Sequence, residues 1–385
     1  MNQTKNRRIS DSPFNVSACL RRWLRIGCAL CALCAFSLRA AENQSRFLYV
    51  AEPGIQNRVE YGGHGVIVFD MDHGFKFVRR IPMSGLDEKG QPRNVKGICA
   101  HAATGRLYVA NTHTLQCVDL VTEKILWEKA PDGGCDRASL TPDGKELYLP
   151  SYEKNHWNVI NALTGDLIKR IDTPKTAAHN TVMSPRGDMV FLCGLGSPIM
   201  NVVDTRTRNI VKRIGPFGAE IRPYTVNHDA SLAYVNVNHL LGFEVADIKA
   251  GKLIHRVEVA GYLSGPVKRH GCPSHGIGLT PDEKEIWLCD GHNQMLHIFD
   301  ATVTPPRQKD SIHLRDDPGW ITFSIDGKYA WPSSGEVIDV GTHRVIATLQ
   351  DEQGRKVESE KLLEIDFEGG RPVRAGDQFG RGLRR

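Results

Sequence analysis

Ala138-Ser139-Leu140-Thr141-Pro142-Asp143-Gly144-Lys145-Glu146-Leu147-Tyr148-Leu149 is the stretch that decides the fold. A short apolar run enters a turn and a β-rich run leaves it. Pro presets φ and Gly accepts a positive φ, so T-P-D-G reads as a tight turn between two strands. The same unit recurs along the chain. Residues 184–187 read S-P-R-G, 227–230 N-H-D-A, 280–283 T-P-D-E, 324–327 S-I-D-G and 102–105 A-A-T-G. Successive copies are 39, 43, 43, 53 and 44 residues apart, and the long step holds an insertion at 262–271.

Outward from each turn the pattern continues. A third apolar run ends in Asp, as in Val202-Val203-Asp204 and Ile298-Phe299-Asp300, and a fourth follows, as in Asn209-Ile210-Val211-Lys212-Arg213-Ile214. Four short strands in each period of ~43 residues, with turn residues between them, are the signature of a propeller blade. The first copy begins late, at Phe47-Leu48-Tyr49-Val50, where a second strand belongs. One period beyond Ser324 lies Phe367, and 362–366 reads as one more first strand. The spacing therefore predicts an all-β, seven-bladed β-propeller over 45–376, with four antiparallel strands per blade. Strand 362–366 pairs into blade 1 and closes the ring, leaving no open edge. Residues 377–385 read as a C-terminal tail, of which 381–385 form a frayed, solvated end.

The period, together with Gly105-Arg106-Leu107-Tyr108-Val109-Ala110-Asn111, resembles the YVTN-repeat β-propellers, within the seven-bladed quinoprotein-like and lactonase-like group. The resemblance covers Ser45 to Gly376. It implies a propeller and leaves the activity open, because this fold hosts many. Related propellers include lactone-ring hydrolases and redox proteins that hold haem or a quinone.

Of the formal charge of +5, residues 1–40 hold seven Lys or Arg against Asp11 alone, which leaves the rest near neutrality. No basic field remains to attract nucleic acid. Arg21, Arg22 and Arg25 precede an apolar run over 26–38, and Ala40 offers a small residue for cleavage. This is a secretory leader, 1–40, too short to span a bilayer. A periplasmic or secreted protein without a membrane span after leader removal follows. Six of the ten cysteines lie beyond the leader. Export permits disulfides. Cys272 and Cys289 flank one hairpin and are the best candidate pair, while a buried free thiol is the reading for most of the others.

The first strand of a blade lines the channel, and its start opens on the usual ligand face. Five residues upstream of each turn stand Gly97, Asp136, His179, Arg222, His275, Gly319 and Leu362. Loops after the second strands add His64, His113, His156, His239 and His292, and insertion 268–275 overhangs the same mouth. Trp320, one residue past the column, is placed to stack on a ligand. Three readings stand side by side. Arg222, His179 and His275 can hold an anionic or polar small molecule or a peptide end. His179, His275 and Asp136, with His292 or Cys272 near, offer ligands for a metal ion or haem. The same groups can also merely hydrogen-bond channel water. A binding or scaffolding protein leads. A propeller enzyme, either a metal-dependent hydrolase or a haem or quinone redox protein, is the alternative.

Overall fold

The computed structural model describes Met1 and residues 44–379. The fold is that of residues 44–379. The leader, Met1 apart, and the end of the tail, 380–385, lie outside the described residues.

Seven antiparallel sheets form the blades of a propeller, as the repeat predicts. Inner strands such as Met189–Gly194 and Glu285–Asp290 are buried on both faces, while the outer strand Asn209–Ile214 leaves alternate residues exposed. The blades pack face to face through apolar side chains, with Trp157, Trp287 and Trp331 fully buried.

The turns behave as their residues dictate. Gly144, Gly187 and Gly327 adopt φ of 69°, 74° and 73°. Where the repeat has lost its Gly, Ala230 and Glu283 take the same left-handed conformation at 54° and 60°. The leading hydroxyl bonds a following Asp, as Thr141 Oγ1 to Asp143 Oδ1 (2.7 Å) and Ser324 Oγ to Asp326 Oδ1 (2.7 Å).

The ring closes at blade 1, where Leu362–Glu368 lies beside Gln44–Glu52. The sheet there gains one strand beyond the expected four, because Arg371–Ala375 folds back on Leu362–Glu368 across a Gly369-Gly370 turn. Residues 377–379, assigned from sequence to the tail, then enter the channel. Gln378 is 2 % exposed and Phe379 3 %. Gln378 accepts from Ile98 N–H (2.9 Å) and donates to Ala138 O (3.1 Å), while its carbonyl accepts from Trp320 Nε1 and Thr322 Oγ1.

The disulfide expectation fails. All six cysteines in the described residues are free thiols. Cys272 Sγ is turned to Ser274 O (3.2 Å), and Cys289 packs behind Gly276, so the two do not meet.

Candidate binding site at the channel mouth

The first strands of four blades share a local irregularity at their mouth end. Ladder pairing skips between Val95 and Gly97, Ala178 and Asn180, Ile221 and Tyr224, and Ser274 and Ile277. A bulge re-aims side chains that regular pleating would place otherwise. The residues freed from the ladder are Lys96, His179, Arg222 with Pro223, and His275 with Gly276. Pro223 has no N–H to offer a ladder, so it suits this position.

Two charged groups form around them. In the first, Asp136, fully buried, sits 2.7 Å from His179 Nδ1 and 3.7 Å from Lys96 Nζ. Burial alone would raise the Asp136 pKa, but His179 and Lys96 outweigh it and hold the carboxyl below its usual range. Burial lowers the His179 pKa. A neutral His179 with Nδ1–H donated to Asp136 keeps Nε2 as its proton-accepting nitrogen.

The second group centres on Glu360, in the buried segment 357–361 that leads into the closing strand. Its Oε2 accepts from Arg137 (2.7 Å) and from Lys361 Nζ (2.8 Å), while Oε1 lies 2.8 Å from His270 Nε2. Burial opposes the charge on Glu360, but Lys361, His270 and Arg137 hold its pKa well below normal. Lys361, which also donates to Gly54 O (2.8 Å), is pushed by burial down to about 7. His275 stacks on His270, with ring centres 3.8 Å apart, and its Nδ1 lies 2.7 Å from Gly319 O. Burial, then His270, drives the His275 pKa well below its ordinary value. The Arg137 guanidinium carbon lies over Trp320, 3.4 Å from the ring centre.

The column glycines make this crossing possible. A Cβ on Gly319 would stand 2.0 Å from His270 Nε2, and one on Gly97 would press the Arg137 backbone at 3.0 Å. Arg269 ties the insertion down through Glu358 (2.7 Å), Asp316 (3.0 Å) and Asp317 O (2.9 Å).

The structure thus joins Asp136 to His179, and His275 and Trp320 to the second group. It does not assemble His179, His275 and Asp136 as one ligand set: Asp136 and His179 satisfy each other, and His275 turns to His270. Arg222 hydrogen-bonds Asn238 (2.5 Å) and borders Gly271. His113 is exposed on the rim. His292, also exposed, fixes the insertion through Pro266 O (3.0 Å) instead of lining the channel. Lys96, Arg137, His270, Glu360 and Lys361 were not singled out from sequence. Lys96, Arg137 and Lys361 each stand one residue from a column position, and His270 lies in the insertion, so a column widened by one would have found most of them.

A cavity of about 420 Å³ opens at the opposite end of the channel, lined by Cys99, Leu140, Met183, Ile325 and Phe379 among others. Its walls are mostly apolar. The convergent polar chemistry is at the mouth, and that is where a selective site is sought.

No protein-family model matches the chain, and no curated protein does. Solved structures do. Hydrazine synthase of Kuenenia stuttgartiensis aligns with a TM-score of 0.58 at 15 % identity, covering 74 % of this chain and 89 % of that one. A chain of the mitotic checkpoint complex gives 0.58 at 13 %, covering 69 % and 77 %. The β-propeller domain of Cps50 (Swd1) from Myceliophteria thermophila gives 0.56 at 11 %, covering 74 % and 96 %. At such identities the likeness is one of fold.

Proposed function

We propose that this chain is an exported, YVTN-type propeller that binds a small carboxylate-bearing molecule, or the carboxylate end of a peptide, at the channel mouth. The carrying observation is Arg137. It is 2 % exposed, and of its guanidinium nitrogens only Nη2 has a hydrogen-bond partner; Nε and Nη1 are buried with none among the described residues. Buried donors left unpaired are costly, and a carboxylate is an acceptor that suits a guanidinium's free N–H groups. Trp320 packs its ring beneath that guanidinium. Export is supported by the arginine-led apolar run over 26–38.

The test is a titration of the purified protein with acetate, oxalate and inorganic phosphate, followed by tryptophan fluorescence. A saturable response is expected for the carboxylates, weakened about tenfold or more in Arg137→Lys, which keeps the charge but loses the planar fork. A flat wild-type response, or one that Arg137→Lys leaves unchanged, overturns the reading.

A further inference from the structure

We infer that His270, His275 and Glu360 form a site for a divalent transition-metal ion of the zinc type. The inference stands apart from the carboxylate reading, since it uses a different edge of Glu360 and no donor of Arg137.

Among the described residues, these three form a group of metal-ligating side chains whose donor atoms all lie within 4.8 Å of one another. Two imidazoles and a carboxylate are the donor set of many three-residue zinc sites, in which the fourth position stays open. The protonation pattern suits the role. Gly319 O can only accept, so the 2.7 Å contact puts the proton of His275 on Nδ1 and leaves the lone pair on Nε2. Anchoring one ring nitrogen on a carbonyl is how ligating histidines are commonly oriented. Glu360 is divided in the same way. Arg137 and Lys361 share Oε2, and Oε1 is left to face His270.

Two further observations point to a missing cation. His270 Nε2 is buried and 2.8 Å from Glu360 Oε1, yet the contact is not aligned as a hydrogen bond and the nitrogen has no other partner. Asp317 is 1 % exposed, and both of its carboxylate oxygens lack a partner. An ion beside His270 would add positive charge next to this buried carboxylate.

Two features resist the ion. Arg137 and Lys361 repel it, although both sit on the far oxygen of Glu360. The imidazoles stack nearly parallel, at 11°, and must fan apart for both nitrogens to point at one ion at about 2.0–2.1 Å. That is a side-chain rotation. His270, whose side chain is 12 % exposed, is carried on the insertion and has the freer side.

The protein, purified without a histidine tag and stripped with chelator, would be titrated with Zn²⁺ by calorimetry and with Co²⁺ by visible absorption. One equivalent should bind, with ligand-field bands for Co²⁺. Affinity should fall about a hundredfold or more in His275→Ala and in Glu360→Gln. Because Glu360 also holds Arg137 and Lys361, His270→Ala serves as the variant least coupled to folding, and circular dichroism checks each protein. A wild-type protein that takes up no stoichiometric metal overturns the inference. So do folded His270→Ala and His275→Ala proteins that bind Co²⁺ with wild-type affinity and spectrum.

Discussion

At the mouth of the channel, Lys96, Asp136, Arg137, His179, His270, His275, Glu360 and Lys361 bring ionisable groups together in near-total burial. At the opposite end, the repeated turns and the entering residues 376–379 surround an apolar cavity. The turn end is made by what the blades have in common. The mouth is made by departures from regular pairing: bulges in the first strands of four blades, an insertion in one step, and the segment leading into the closing strand. Repetition supplies the frame, and departures from it supply the chemistry.

The largest expected effect tests whether charge ties the mouth together. Glu360→Ala leaves Arg137 and Lys361 buried without their carboxylate, and breaking a buried pair from one side typically costs about 3–5 kcal/mol. Urea unfolding with chelator present should show that loss. A loss below about 1 kcal/mol would mean that the mouth tolerates bare charge and that the contrast between the ends is only one of composition.

A smaller effect comes from two groups near one strand. Glu364, on the turn-end side, is raised by burial and by Asp366 to about 7, against Arg46. Lys361, at the mouth, is lowered by burial to about 7. Their signs oppose. Between pH 4.5 and 7 the folded state keeps a proton on Glu364 that the unfolded chain has released, so this group makes stability fall as pH rises. Between pH 7 and 8.5 the unfolded chain protonates Lys361 while the folded state does not, so this group makes stability rise with pH. Read as wild type minus variant, Glu364→Gln should remove a fall of about 2–3 kcal/mol, and Lys361→Met a rise of about 2 kcal/mol. The thiols of the unfolded chain also ionise near pH 8.5, but wild type and variant carry the same ones, so they cancel in the difference. Parallel profiles for wild type and both variants would remove the electrostatic distinction between the ends.

The turn end was the legible one. A tetrapeptide whose residue types dictate local φ can be read without tertiary information, and its period alone placed 362–366 in blade 1. The mouth was legible only to within a residue. Gly97 and Asp136 were on the column, but a bulge turns Lys96 inward, and the side chain beside Asp136 that crosses the channel is Arg137. Such shifts leave no trace in a count of residues. His270 lies in the insertion and has no counterpart in other blades, while Glu360 stands two residues before Leu362, outside even a column widened by one. The pair Cys272 and Cys289 misled because nearness in a hairpin says nothing of where Sγ points.

The smallest effect belongs to Gln378, the residue that separates the two ends. Its side chain satisfies Ile98 N–H and Ala138 O, which belong to different blades, and it is buried. Gln378→Ala leaves a buried N–H and a buried carbonyl unpaired, while the backbone contacts of Gln378 O with Trp320 and Thr322 survive. About 1–2 kcal/mol should be lost, because water reaching from the cavity can replace part of what the amide supplied. The sharper readout is amide exchange at Ile98. It should quicken in the variant, while strands of blades that Gln378 does not touch, such as Leu232–Val237, keep their protection. If Ile98 exchange is unchanged, the entering segment does not hold the channel, and the apolar end owes its form to the blades alone.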